Sequence, residues 1–223
     1  MIGPAFSRGN AYLGGQVWAW NLPSGFSCPG AVECLAYAAR HTGRITVGRA
    51  ATYRCYSATG ERFPAVRARV WANFDAVKRR GPDEVAEALL GCLPTQAKAV
   101  RIHAGGDFFS QDYFDGWLAV CRARPDVQFW AFTKSLDFWV ARLTAIPHNL
   151  CLQASHGGKR DHLIAAHGLK SARVVRSVEE AAELRLEIAT DDRPAMAGET
   201  SFALLLKQKK SQARVDARQM VLA

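Results

Sequence analysis

The chain has 223 residues, 49% of them hydrophobic, a length and composition that suit one globular core and exclude a disordered polymer. No run approaches the roughly 18 to 20 apolar residues of a membrane helix, and Met1 to Trp20 lacks the basic-then-apolar order of a secretory leader, so a cytoplasmic protein is expected. A formal charge of +9 and a pI near 9.5 favour an anionic partner, nucleic acid first, because Lys and Arg release counterions from phosphate.

Residues 1–62 are rich in Gly, Ser, Pro and aromatics (Gly14-Gly15, Trp18, Trp20, Pro23, Gly25, Pro29) with no helical period, so an irregular segment is expected there, ordered by something other than regular structure. From Phe63 the pattern changes. Val66, Val70, Trp71, Phe74 and Val77 recur at three- and four-residue steps and predict one apolar helix face, with Arg67, Arg69, Lys78 and Arg79 elsewhere. A second helix is expected from Pro82, with Asp83 and Glu84 in its first turn.

Short β-rich runs then alternate with helical ones, the sequence form of parallel βα units. Strands are predicted at 99–103, 127–132, 149–154, 172–175 and 202–206. Between the first two, a helix would turn Tyr113, Phe114, Trp117, Leu118 and Cys121 to the sheet; another is predicted at 136–143, and Ser177 to Glu180 fits a capping box opening a third. The expectation is a single α/β domain: the irregular segment, a βα core over 63–206 forming an open parallel sheet or a partial, TIM-like barrel, and a basic tail over 207–223.

In parallel α/β sheets the loops following the strands share one edge, where ligands bind. The residues after the first three strands are His103-Ala104-Gly105-Gly106-Asp107-Phe108-Phe109-Ser110, Thr133-Lys134-Ser135 and Ser155-His156-Gly157-Gly158-Lys159-Arg160. All three are polar, and two carry Gly-Gly, whose exposed N–H groups can hold a carboxylate or phosphate; singly each pair is equally a tight turn. Gly105, Gly106, Thr133, Ser135, Ser155, Gly157 and Gly158 are the candidate ligand-binding residues. His103 and Asp107 are candidates for acid–base chemistry, against a hydrogen-bonded structural histidine and a helix cap, and Lys134 for pairing with an anionic substrate group. His148, His162 and His167 lack ligand spacing and are read as structural.

The six cysteines sit in a chain too large to need disulfide staples, so reduced thiols are expected. Cys92, Cys121 and Cys151 occupy apolar helix and strand positions and read as small core residues. Cys28, Cys34 and Cys55 lie in the irregular segment, where three thiolates could hold zinc or an iron–sulfur cluster and so order it; buried structural thiols and redox chemistry are the other readings.

Leu22 to Ala31, Cys34, Tyr53-Arg54-Cys55, Phe63 to Arg67, Val100 to His103, Gly106 to Ser110, Ala131 to Ser135, Gly157 to Asp161 and Ser201 to Leu205 together resemble the gene product eighty-eight family of bacteriophages and prophages. The resemblance covers most of residues 20–206 and implies a mobile-element origin without a settled activity. A second resemblance is architectural: cysteines ahead of βα units, with a Gly-Gly-acid turn after an early strand, are similar to radical S-adenosylmethionine enzymes. It implies Cys28, Cys34 and Cys55 as cluster ligands and Gly105-Gly106-Asp107 as the turn that holds the methionine amine. The spacing departs from that pattern, with five and then twenty residues between the cysteines.

Two functions are expected to compete. One is a metal- or iron–sulfur-dependent enzyme acting on a nucleotide or nucleic acid, with S-adenosylmethionine as a cosubstrate. The other is a non-catalytic nucleic-acid-binding protein with structural zinc, contacting phosphate through Arg67, Arg69, Lys78 and Arg79 and stacking bases on Trp18, Trp20, Tyr56 and Phe63.

Overall fold

The structure, a computed structural model, describes residues 2–9 and 17–206. Gly14-Gly15 and the basic tail of 207–223 lie outside the described residues. The elements run β1 (Ser7–Arg8), β2 (Val17–Trp20), β3 (Ala36–Ala38), β4 (Ile45–Val47), α1 (Tyr56–Gly60), α2 (Pro64–Val77), α3 (Pro82–Cys92), β5 (Ala99–Ile102) and α4 (Gln111–Ala123). They continue with β6 (Gln128–Thr133), α5 (Leu136–Val140), a short 3-10 turn (Leu143–Ala145), β7 (Leu150–Ser155), α6 (His162–Ala166), β8 (Ser171–Val175), α7 (Val178–Glu183), α8 (Arg193–Ala197) and β9 (Phe202–Leu205).

The main sheet is open, in the order β1-β2-β5-β6-β7-β8-β9. Only β1 runs antiparallel to its neighbour; the other pairs are parallel. From β2 onward the strands lie side by side in chain order, as successive βα units deliver them. All five predicted strands are present. The expectation of an irregular stretch to residue 62 is corrected: Val17-Trp18-Ala19-Trp20 is a strand paired with β5, and Ala36–Ala38 and Ile45–Val47 form a separate antiparallel hairpin. Trp20, wholly buried against Val100, Ile102 and Trp117, supplies the apolar surface that draws this short strand into the sheet.

Strand alternation separates two cores. Val100, Ile102, Phe129, Ala131, Leu150 and Leu152 face Val85 and Leu89 of α3 and Phe114, Trp117 and Leu118 of α4. On the opposite face Trp130, Ala172 and Phe202, with Phe132 and Leu204, pack against Ala195 and Met196 of α8. The predicted face of α4 is buried throughout, and its Ser110 hydroxyl caps the helix by accepting from Tyr113 N at 3.2 Å. Ser177 likewise accepts from Glu180 N at 3.2 Å, but the box is half formed, because Glu180 Oε2 accepts from Arg176 N instead.

Helix α2 is rotated from its predicted face. Val66 is exposed, and Arg67, Val70, Asn73 and Val77 are the buried positions. Polar side chains win here because each has several partners. Asn73 accepts from Ala5 N and donates to Ala5 O and Asn21 O, which pins the N-terminal strand to the helix.

Helices α3 and α4 approach closely at Gly116, where an added Cβ would come within 2.5 Å of Val85 Cγ1 and 3.0 Å of Pro82 O. Gly91, near the end of α3, has open space around it. Gly116→Ala is therefore expected to cost about 1–3 kcal/mol through overpacking, although alanine is the better helix former. Gly91→Ala should stabilise by up to about 1 kcal/mol, and chemical denaturation of the two variants checks that the signs are opposite.

Candidate functional site

Two buried charges join the carboxyl ends of β5, β6 and β7. Beyond β5 the chain turns at His103, a non-glycine residue at φ 64°, and Gly106 at φ 90° then aims Asp107 inward. Asp107 Oδ1 accepts from Thr133 Oγ1 at 2.6 Å and from Phe108 N at 2.7 Å, and Oδ2 accepts from Lys134 N at 2.8 Å. Ser135 Oγ donates to Phe108 O at 2.6 Å, a second tie between the same loops. Lys134 Nζ in turn donates to Ser155 Oγ at 2.7 Å, to Ser155 O at 3.1 Å and to His156 O. All three of its protons are thus used at the end of β7, where a substrate anion was the expected partner.

The three strand-end loops meet, and the cysteine-bearing segment lies directly on them. Lys159 N donates to Gly30 O at 2.9 Å; Val32 N and Glu33 N both donate to Gly157 O, at 3.1 and 3.0 Å; Leu22 N donates to Gly105 O at 2.9 Å. This contact explains the glycines. Gly157 sits at φ 88° with Glu33 so close that a Cβ would lie 2.8 Å from its carboxylate, and a Cβ on Gly30 would run into the Lys134 carbonyl. The donors expected to cradle a ligand are engaged within the chain: Gly157 N and Gly158 N donate to Asp161, and Gly105 N to Asn21 Oδ1.

The segment carries Cys28, Cys34 and Cys55 to this edge from three separate points of the chain. Desolvation raises Cys28 well above the usual thiol range, and negative charge on Asp107, Cys55 and Cys34 would raise it further. Desolvation likewise pushes Cys34 up to about 11, with Lys134 pulling it down and Cys55 and Asp107 pushing it up. Each thiol therefore lies within electrostatic reach of the other two. In the arrangement described, no three His, Cys, Asp or Glu among the described residues stand close enough to hold a metal ion. Cys92, Cys121 and Cys151 lie in α3, α4 and β7, as their apolar settings predict.

His103 is buried, its Nε2 2.9 Å from the Tyr113 hydroxyl, its ring stacked on Tyr113 and its Nδ1 unpartnered. Burial, with Arg101 nearby, pushes the imidazole down to about 3, so it is neutral at physiological pH. Burial pushes Asp107 up to about 6 against the pull of its three hydrogen bonds and of Lys134.

Three of the four predicted phosphate-contacting residues have partners within the chain. The Arg67 guanidinium donates to Glu61 O at 2.8 Å, Arg40 O at 2.9 Å, Arg62 O at 3.1 Å and His41 O at 3.4 Å. Arg69 donates to Gly3 O at 2.6 Å, and Lys78 pairs with Asp75 at 2.6 Å. Arg79 is exposed at φ 60°. Trp20 is wholly buried, whereas Tyr56 and Phe63 are exposed.

Sequence reasoning missed Glu33, Tyr53, Arg173 and Arg176, which border the same edge. A signal was available. Extending the strand-end rule to the predicted strand at 172–175 reaches Arg176.

The two shifted groups act on stability with opposite signs. Between about pH 4 and 6 the unfolded chain ionises Asp107 before the folded one does, so Asp107 removes stability as pH rises. Below about pH 6.5 the unfolded chain protonates His103 while the folded one does not, so His103 adds stability as pH rises towards 6.5. His103→Asn, which tolerates the left-handed backbone, should make stability fall with rising pH across this window relative to wild type. Asp107→Asn should make it rise, each slope differing from wild type by at most about 1.4 kcal/mol per pH unit. Urea denaturation at successive pH values tests this, and parallel profiles for all three proteins would refute it. For the internal arginine, Arg67→Ala is expected to cost about 3 kcal/mol, whereas Arg79→Glu should change stability by no more than about 0.5 kcal/mol in the same assay.

The family model described as Gene product 88 matches residues 4–221. Among curated proteins the chain is similar to the Gene 88 protein of Mycobacterium phage L5, 51% identical over 51 residues, or 22% of this chain and 21% of that protein. It is also similar to the Gene 88 protein of Mycobacterium phage D29, 54% identical over 37 residues, or 17% of this chain and 15% of that protein. These matches span about a fifth of the length of those relatives or less. No solved structure matches the chain. With a family model that extends over nearly its whole length, including every strand-end loop and all three clustered cysteines, the chain belongs to the Gene product 88 family.

Proposed function

We propose that this protein is an enzyme acting on a nucleotide or nucleic acid at the carboxyl edge of its parallel sheet, with zinc or an iron–sulfur cluster held by Cys28, Cys34 and Cys55. The supporting observation is that the cysteine segment is hydrogen-bonded by its backbone to the strand-end loops, with Cys28 and Cys34 within electrostatic reach of Asp107 and of Cys55, and Cys34 also of Lys134. The donor set suits such a group. Thiols gathered where burial disfavours their ionisation, as it does at Cys28 and Cys34, are what a bound cation converts into ligands, releasing their protons. The thiols have to draw together to share one ion, since their present arrangement does not surround a common point.

Such a group supplies Lewis-acid or electron-transfer chemistry, and a cluster would make S-adenosylmethionine a candidate cosubstrate. The chain's own residues set the surroundings. Asp107 and Lys134 hold the loops that form the floor of the site, and neutral His103 lies behind them. The non-catalytic nucleic-acid-binding reading draws its phosphate contacts from Arg67, Arg69, Lys78 and Arg79, of which the first three are engaged within the chain and Arg79 is exposed.

Anaerobically purified protein is expected to carry about one equivalent of zinc, or iron with acid-labile sulfide and a brown colour. Cys28→Ala, Cys34→Ala and Cys55→Ala should each lose it, while Cys92→Ala and Cys151→Ala retain it. Folded wild-type protein that is colourless and metal-free under those conditions would remove the cofactor from the proposal.

A further inference from the structure

A cavity of about 450 Å³ opens at the carboxyl ends of β7 and β8, within the size range of small-molecule sites. Its lining brings Glu33 and Tyr53 of the cysteine segment together with Arg173 of β8 and Arg176, the residue that follows β8. Tyr53 lies within electrostatic reach of Cys34 and Cys55, so this hollow adjoins the thiol cluster.

The charges around it are unequal in their commitments. Asp161 accepts from Gly157 N at 2.8 Å and Gly158 N at 2.9 Å, and Glu180 accepts from Arg176 N at 2.7 Å, so two of the carboxylates hold backbone donors. Arg173 and Arg176 are exposed and form no ion pair among the described residues. These two guanidiniums line the hollow beside the carboxylates of Glu33, Asp161 and Glu180 without forming an ion pair to them. Guanidinium forks match phosphate oxygens in pairs. In the same cavity, Glu33 offers an acceptor for sugar hydroxyls, and the Tyr53 ring offers an apolar face. A hollow of about 450 Å³ is of a size for one nucleotide.

We propose that the cavity is the binding site for a mononucleotide, its phosphate on Arg173 and Arg176 and its ribose hydroxyls towards Glu33. This names the substrate class for the enzyme proposed above and places that substrate beside the thiols, but it does not depend on the metal.

Calorimetric titration of the full chain with the four 5′-ribomononucleotides, adenosine and a single-stranded DNA oligomer tests the assignment. At least one mononucleotide should bind with a Kd in the millimolar range or tighter, and adenosine about tenfold more weakly than AMP if AMP is the base preferred. Arg173→Ala combined with Arg176→Ala should weaken that mononucleotide by about tenfold or more, Glu33→Gln should weaken it less, and Lys170→Ala, at an exposed site away from the cavity, should leave it unchanged. Both arginines are exposed, so the double variant should keep the wild-type Tm. No binding of any mononucleotide, binding that the double variant leaves intact, or binding of the oligomer alone would each overturn the proposal. Chelator-treated wild type separates this from the cofactor: it should bind the mononucleotide within about threefold of untreated protein, whether or not a metal was present to remove.

Discussion

A parallel sheet leaves the carbonyls and N–H groups of its strand ends exposed along one edge, and in this protein a buried carboxylate and a buried ammonium satisfy much of that need. Asp107 takes the donors of the β6 loop, and Lys134 supplies donors to the β7 loop. Burying either charge alone would be costly; each is tolerated because hydrogen bonds surround it and the other lies nearby. The position of the cysteine segment depends on this arrangement. Its backbone bonds to Gly105, Gly157 and Lys159 only because those loops are held where the segment can reach them.

The opposite face of the sheet shows the same reliance on polar contacts in place of a second helical layer. Arg101 projects from the middle of β5, pairs with Asp192 at 2.8 Å and lies over the Phe132 ring at 5.0 Å, while Trp130 Nε1 donates to the same Asp192 at 2.9 Å. Asp192 precedes α8, so one carboxylate fixes the segment that covers this face. Arg101 also donates to Tyr56, whose hydroxyl donates to Ala104 O, and this connects the covered face to the residue following Cys55. The thiol cluster is thereby tied to both layers of the fold.

These contacts engage several of the protein's cations. Arg67, Arg101, Arg124 and Arg142 serve as internal clamps on carbonyls or carboxylates, so the net charge of +9 overstates the basic surface offered to a partner. Composition counts charges without regard to what neutralises them. At the cavity, Arg173 and Arg176 are exposed and form no ion pair among the described residues.

Local pattern was enough to identify the α/β class, the five strands from β5 onward, the buried face of α4 and the polar strand ends, because side-chain period and turn chemistry are encoded within a few neighbouring residues. Family membership was legible too, since it rests on short motifs. Strand β2 was not legible: Val17–Trp20 is four residues long, and its place beside β5, some eighty positions away, comes from burial of Trp20. The face of α2 was misjudged because hydrophobic spacing cannot see the four carbonyls that make a buried Arg67 favourable. At the site, sequence determined which residues are chemically capable. Only the tertiary structure decided their roles: it turned the glycine loops into seats for the cysteine segment and used Lys134 inside the protein. It also brought Glu33, Tyr53, Arg173 and Arg176 around one cavity, a grouping of residues more than a hundred positions apart that lies beyond the reach of any local pattern.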